Sequence, residues 1–331
     1  MKLKRDESLD FLRGFGILLM VIGHIGFTTA DIYIYAFHMP LFYMISGYLV
    51  KPDVRKKFSA HVVSRAKRLL IPYFLFGFAQ YIIYLGIHAF NTPDAKALLI
   101  NLLLFPTKGL AIAGALWFLT SLFLIEIVFE LLLRIKSEGL RLIIVAIVVI
   151  AGFFINEMQY DLVFALETSM VGILFYYAGY LIRRYKLFDC IQKRKTKFVF
   201  GIGAILLFIP LTWLCYKNGQ IGMFFGMYQN EFVFVIVALF MTLFWWCVAK
   251  QVVKINKLSW FNGYFVFLGK NSMIFLLLNQ FFIFFYRKVL LMVIEDNKWL
   301  VHVAELLLVL LSLHVFALIT NRLKIAKIWR G

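Results

Sequence analysis

Apolar stretches close to twenty residues long recur through the whole chain, at roughly 11–29, 33–50, 69–90, 111–133, 141–156, 163–182, 198–216, 231–249, 264–286 and 299–320. A helix needs about that length to cross the hydrocarbon core of a bilayer. In lipid a helix satisfies its own backbone, whereas an open sheet or an irregular strap does not. The expected fold is therefore an all-α integral membrane protein, a bundle of about ten transmembrane helices forming a single domain over residues 1–331. Composition points the same way. With 63% hydrophobic and 16% charged residues, against about 25% charged in soluble domains, the chain has too little polar material to cover a globule. Two runs need comment. The stretch 98–105 is too short to span and is expected to be re-entrant or interfacial, and 141–156 is the shortest of the ten. The first run ends without a small-residue cleavage site, so it is expected to stay as a span and not to be a signal peptide.

Charge sets the orientation. With the N-terminus inside, the inner segments hold 27 Lys and Arg, densest at 51–68 and 183–197. The outer loops hold only Lys96, Lys108, Lys217, Arg287, Lys288 and Lys298, while Arg13 and Lys270 sit at or within helix ends. Lys and Arg accumulate on the cytoplasmic side of spans, so both termini are expected in the cytoplasm and the chain in the cell membrane. A net charge of +18 could suggest nucleic acid, but the cations lie in short clusters between apolar runs and read as topology-setting loops. Cys190, Cys215 and Cys247 are scattered, with no CxxC and no metal-like spacing to His. They are expected to be packing or loop residues, and no metal is expected.

Ionisable side chains inside spans are costly and mark a functional path or a partner pair. The first span holds Arg13 and His24. Eleven residues make three turns plus about 20°, so both project from one face, separated by about 16–17 Å along the axis. Two readings stand: a snorkelling arginine with an unrelated buried histidine, or one functional line. The second span carries Phe37-His38-Met39-Pro40 and Ile45-Ser46-Gly47-Tyr48, with His38 at a depth comparable to His24. An imidazole is the usual proton acceptor for a hydroxyl nucleophile. The following loop is the most basic, with Arg55, Lys56, Lys57 and then Arg65-Ala66-Lys67-Arg68. Arg65 and Arg68 are neighbours on one helical face and suit phosphate, or they set topology or touch lipid headgroups. Glu126, Glu130 and Arg134, four apart, are expected to form a ladder near the cytoplasmic end. His61, His88, His302 and His314 are expected to be structural or interfacial.

In combination these segments resemble the acyltransferase 3 family of membrane acyltransferases, in particular sugar O-acetylases of the fucose 4-O-acetylase kind. The resemblance is carried by Leu9-Asp10-Phe11-Leu12-Arg13-Gly14, the Arg13/His24 pair, the run from Phe37 to Leu49, and Arg65/Arg68 leading into Leu69-Leu70-Ile71-Pro72-Tyr73. It continues through Leu116-Trp117-Phe118-Leu119, Ala178-Gly179-Tyr180-Leu181 with Arg183-Arg184, and Leu268-Gly269-Lys270-Asn271-Ser272. It implies ten helices, acyl-CoA (most simply acetyl-CoA) as donor, His24 as the catalytic histidine, and Arg13, Arg65 and Arg68 as contacts to CoA phosphates. Lys270, in the last motif, is a further candidate donor contact. The sequence departs from the family at two places, where a histidine is often found and Ala115 and Asn279 stand instead.

The implied reaction moves an acyl group from cytoplasmic acyl-CoA to a hydroxyl of an extracytoplasmic or lipid-linked saccharide, with His24 as base or transient acyl carrier. The pantetheine arm, equal to a little over four extended residues or roughly 15 Å, nearly matches the rise from Arg13 to His24. His38, Glu167 and Asn279 fall at similar depths and are expected to orient His24 or bind the acceptor. Trp117 is expected to wall the cavity. The competing class is a transporter or flippase for a sugar-lipid or small solute. The lack of evident repeats and of paired broken helices counts against it.

Overall fold

The computed structural model describes residues 6–50, 57–88, 92–108, 111–188, 194–294 and 297–323. Arg55, Lys56 and Cys190 lie outside them. Thirteen α-helices are described: α1 (Glu7–Ile25), α2 (Thr28–Tyr35), α3 (His38–Tyr48), α4 (Phe58–Ile87), α5 (Ala95–Leu104), α6 (Trp117–Leu132), α7 (Glu138–Glu157), α8 (Leu166–Arg184), α9 (Arg194–Asn218), α10 (Glu231–Val252), α11 (Ser259–Lys270), α12 (Ser272–Val293) and α13 (Lys298–Arg322). Helices begin where the apolar runs meet short polar residues. Asp6, Ser137, Asn230 and Asn297 each accept a hydrogen bond from a backbone N–H of the first turn, which satisfies one of the donors a helix start leaves open. α1 ends at Gly26, whose φ of 94° is the left-handed conformation glycine adopts without strain.

Eight helical segments are long and apolar enough to cross a membrane, namely α1, α4, α6 and α8 with the 3₁₀ turns before them, α7, α10, α12 and α13. α9, at 25 residues, also has the length. The tenth pass is broken. The expected single span over 33–50 is α2 and α3, parted at Ala36 and Phe37. Pro40 is the cause: it has no N–H to offer the Ala36 carbonyl, and its ring crowds that carbonyl. The expected span over 264–286 is likewise α11 and α12, parted at Asn271. There the Asn271 amide donates to the Phe267 carbonyl at 2.8 Å, a side chain competing with the ladder. The short stretch after α4 is α5, ten residues long and too short to span. Tyr81 on α4 holds it by donating to the Ala95 carbonyl at 2.9 Å. The run 141–156 is a full helix, α7.

Burial separates an inner set from an outer one. The apolar windows of α1, α6 and α8 are 67–72% buried, while those of α4, α7 and α13 are 22% buried, with Ile143, Ile147, Ile150 and Phe154 of α7 turned outward. Lipid offers no hydrophobic drive between helices, so close association relies on small residues that let backbones touch. Two such crossings hold the inner set. A Cβ on Gly14 would run into the Phe265 carbonyl, and one on Gly269 into the Asp10 carbonyl, which seats α1 on α11. A Cβ on Gly47 would meet the Tyr176 carbonyl, and one on Gly179 the Met44 carbonyl, which seats α3 on α8. The glycines of four sequence motifs are thus contact points between backbones.

Glu126 and Glu130 do not form a ladder with Arg134 along α6. They pair across to α4, Arg65 Nε lying 3.4 Å from Glu126 and His61 Nδ1 3.8 Å from Glu130. Arg134 stacks over the Phe58 ring instead. Spacing along one helix gives the shared face, but an antiparallel neighbour supplies the partners, Arg65 and His61.

Candidate active site

α1 presents Arg13, Ile17, Met20 and His24 on one stripe, spaced i, i+4, i+7 and i+11; the first three line one space and the last lines a second. The opposite wall is α11 and α12, which run in the same direction as α1: Gly14 touches Phe265, His24 meets Asn279, and Ile25 meets Arg287. The inner space, about 210 Å³, is closed on its remaining sides by Met39, Phe42 and Ser46 of α3, Arg68 and Leu69 of α4, and Phe118, Leu119 and Leu122 of α6. The outer space, about 510 Å³, is lined by His24 and by the face of α12 from Gln280 to Leu291. No residue lines both. Met20, one turn before His24, lines the inner space.

The inner space is cationic. Arg13, Arg68 and Lys270 come to it from three different elements. Arg13 lies 3.7 Å from Asp10 in its own helix, while Arg68 and Lys270 form no ion pair among the described residues. Because α11 breaks immediately after Lys270, Asn271 and Ser272 also reach this space. Three cations around one cavity at the cytoplasmic end suit an anion of several negative groups, since charge-assisted bonds to phosphate are the strong kind.

At the outer end His24 Nδ1 lies 2.7 Å from Asn279 Oδ1. The Asn279 Nδ2 donates to the carbonyls of Phe275 and Leu276, at 3.0 and 2.8 Å. Those bonds turn the amide oxygen toward the imidazole. An amide oxygen only accepts, so in the neutral ring Nδ1 carries the proton and Nε2 keeps its lone pair. Asn279 is fully buried and cannot exchange this partner for water. The sequence feature that departs from the family, an asparagine where a histidine is common, is thus the residue that fixes the tautomer of His24.

The other sequence candidates are distributed differently. Arg68 lines the inner space, but Arg65, three residues earlier, is engaged by the buried Glu126. His38 is buried at the start of α3, with Nδ1 3.1 Å from the Ile34 carbonyl and its ring against Tyr35, and it lines neither space. Glu167 is buried too, and its Oε2 accepts from the Leu162 N–H at 3.0 Å. It fastens the turn before α8, where Phe164 and Ala165 have positive φ, and it lines neither space. Trp117 is buried against Phe224 behind the wall that Phe118 and Leu119 provide. Ala115 is held by its backbone N–H, which donates to Gln280 Oε1 at 2.9 Å.

Three residues that sequence reasoning did not assign complete the outer end. Gln280 and Arg287 line the outer space. Glu305, fully buried, accepts from Arg287 Nε at 3.1 Å and Nη2 at 3.0 Å, and the same Nη2 donates to the Ile25 carbonyl at 2.6 Å. α1, α12 and α13 are thereby tied together one residue from His24. A carboxylate in the middle of an apolar run and an arginine on the cation-poor side were the available signals. Among the described residues no group of three His, Cys, Asp or Glu could hold a metal ion.

The fold and site define a multi-pass membrane protein with a cationic inner chamber and an oriented imidazole further out. The chain matches the acyltransferase domain family known as acyltransferase 3 from residue 6 to residue 321 and belongs to that family. The family match, and not an absence of broken helices, is what favours an enzyme over a transporter, since two of the passes are broken, α2/α3 and α11/α12. Two curated relatives are similar over a short segment: the nodulation protein NolL of Mesorhizobium japonicum, 42% identical over 81 residues, and that of Sinorhizobium fredii, 41% identical over 81 residues. The match spans 20% of this chain and about a fifth (22%) of the length of each relative. No solved structure matches.

Proposed function

We propose that the protein is a transmembrane O-acetyltransferase that moves the acetyl group of cytoplasmic acetyl-CoA to a hydroxyl of an extracytoplasmic saccharide. One observation carries this reading: along α1, a space with three cations at Arg13 is followed eleven residues further out by an imidazole of fixed tautomer that lines a second space. That rise, about 16–17 Å, is close to the roughly 15 Å of an extended pantetheine arm. The phosphates of the donor sit among Arg13, Arg68 and Lys270, and the arm threads the stripe of Ile17 and Met20. Met20 and Met39 line the inner space, and unbranched thioether side chains re-pack at little cost, so they would yield to the arm on its way to His24. The thioester then lies beside Nε2 of His24.

Chemistry follows from the tautomer. Nε2 takes the proton of the acceptor hydroxyl while its oxygen attacks the thioester carbonyl. The new C–O bond forms, the C–S bond breaks, and the CoA thiolate leaves with the proton that Nε2 held. Asn279 keeps Nδ1–H in place through both transfers. The products are the ester and free CoA, with no further reactant. The test is acetyl transfer from isotope-labelled acetyl-CoA by the purified protein in nanodiscs, together with mass spectrometry of cell-envelope glycans with and without the protein. Labelled ester formed by the wild type and lost in His24→Ala is the expected result. Equal labelling by both, or no dependence of envelope acetylation on the protein, overturns the reading.

A further inference from the structure

His24 lines a second space that the donor, as placed above, does not use. Its far wall is one face of α12, Ile283, Phe284, Arg287, Lys288 and Leu291, spaced i, i+1, i+4, i+5 and i+8. Arg287 is held from behind by Glu305 and the Ile25 carbonyl through Nε and Nη2. Its Nη1 makes no hydrogen bond among the described residues, and Lys288 makes no ion pair among them. Glu305 balances the charge of Arg287, so Lys288 leaves the described lining positive. Only six Lys and Arg fall in the outer loops by charge pattern, and two of them line this one space beside the imidazole. Its other lining is apolar, and at the outer end Leu291 and the adjoining Met292 are exposed at 56% and 71%, toward what would be lipid.

We infer, on the reading of His24 given above, that this space seats a glycolipid acceptor whose saccharide is joined to its lipid through a phosphate. The reacting hydroxyl lies at His24, the phosphate between Arg287 Nη1 and Lys288, and the lipid along Phe284 and Leu291. From Gln280 to Lys288 the helix rises about 12 Å, which leaves room for a short saccharide between the base and the cations. A guanidinium and an ammonium both bind phosphate strongly when it is partly desolvated. A free neutral sugar would leave Lys288 without a counter-charge and the apolar flank against water.

Binding is the decisive measurement, because it does not depend on turnover. The probe is a disaccharide linked by diphosphate to a short polyisoprenyl chain, titrated against nanodisc-embedded wild type, His24→Ala and Lys288→Glu, with thermal melting to confirm that each variant is folded. The expected result is saturable binding to wild type and His24→Ala, weakened about tenfold or more in Lys288→Glu, and not displaced by excess phosphatidylglycerol. Arg287 is left intact because Glu305 depends on it. Unchanged affinity in Lys288→Glu, equal binding of the dephosphorylated glycolipid, or displacement by phosphatidylglycerol, which would mark a seat for bulk lipid headgroups, each overturns the inference. Failure of acetyl transfer in the separate labelling assay would count against the donor reading alone and would leave this binding result standing.

Discussion

The two spaces share walls from α1 and α12 and differ in what each asks of a single residue. At the inner end Arg13, Arg68 and Lys270 converge from three elements on a space of about 210 Å³, at the edge of the most basic loops of the protein. At the outer end the imidazole of His24 is tied through Nδ1 to an amide that is itself tied to two carbonyls. Cations at the inner end can be redundant, since each adds attraction to a shared polyanion. The outer end has no such redundancy, because one nitrogen must present a lone pair. Loss of a single residue should therefore be graded inside and nearly all-or-none outside.

The sharpest way to break that comparison is His24→Ala. It should lower acetyl transfer by about 10³-fold, within the range a positioned general base contributes, while labelled acetyl-CoA still binds with unchanged affinity. A loss of donor binding in this variant would show that the two ends are not separable. Next in size is Met20→Trp, in the inner space one turn before His24. A bulky ring there should stop the arm from reaching His24 and cut transfer by about 10²-fold, as misplacement of a reacting group does. Donor binding measured by equilibrium dialysis should again be retained. If Met20→Trp transfers at the wild-type rate, the arm takes another path. At the inner end, Arg13→Ala and Arg68→Ala should each raise KM for acetyl-CoA by roughly tenfold to a hundredfold, the worth of a hydrogen bond to a charged group. Neither should alter use of acetyl-pantetheine, which lacks the phosphates.

Much of this architecture was legible from residues alone, and the remainder divides by physical cause. Apolar length and the 27-to-6 asymmetry of Lys and Arg report on each pass separately, so span count and the shared stripe of Arg13 and His24 could be read locally. The break between α2 and α3 was signalled by Pro40, and the one at Asn271 by a side chain that competes for backbone carbonyls. What could not be read is register between helices remote in the chain. Asn279 meets His24 across 255 positions, and depth alone put Asn279, Glu167 and His38 on equal terms. Depth is one coordinate of three. Glu167 and His38 face elsewhere, one into the turn at Leu162 and the other toward Ile34. The same ignorance of neighbours hid Glu305 as the partner of Arg287.

The smallest kinetic effect is expected within the Arg65–Arg68 pair, and it sharpens the comparison most finely. Both are arginines on one face of α4, three residues apart, and sequence gives no ground to separate them. Glu126 separates them: it is buried and lies 3.4 Å from Arg65 Nε, whereas Arg68 lines the inner space. Arg65→Met should then leave KM for acetyl-CoA within about twofold of wild type, but it strands a carboxylate in a low-dielectric site. Removing one partner of a buried pair costs about 3–5 kcal/mol, so the melting temperature should fall. The double variant Arg65→Met with Glu126→Leu removes both charges, and replacing a buried pair by apolar groups is often neutral. It should regain most of the lost stability with donor KM still unchanged. A rise in KM that persists in the double variant would move Arg65 from the scaffold to the donor site and extend the cationic inner space by one helical turn.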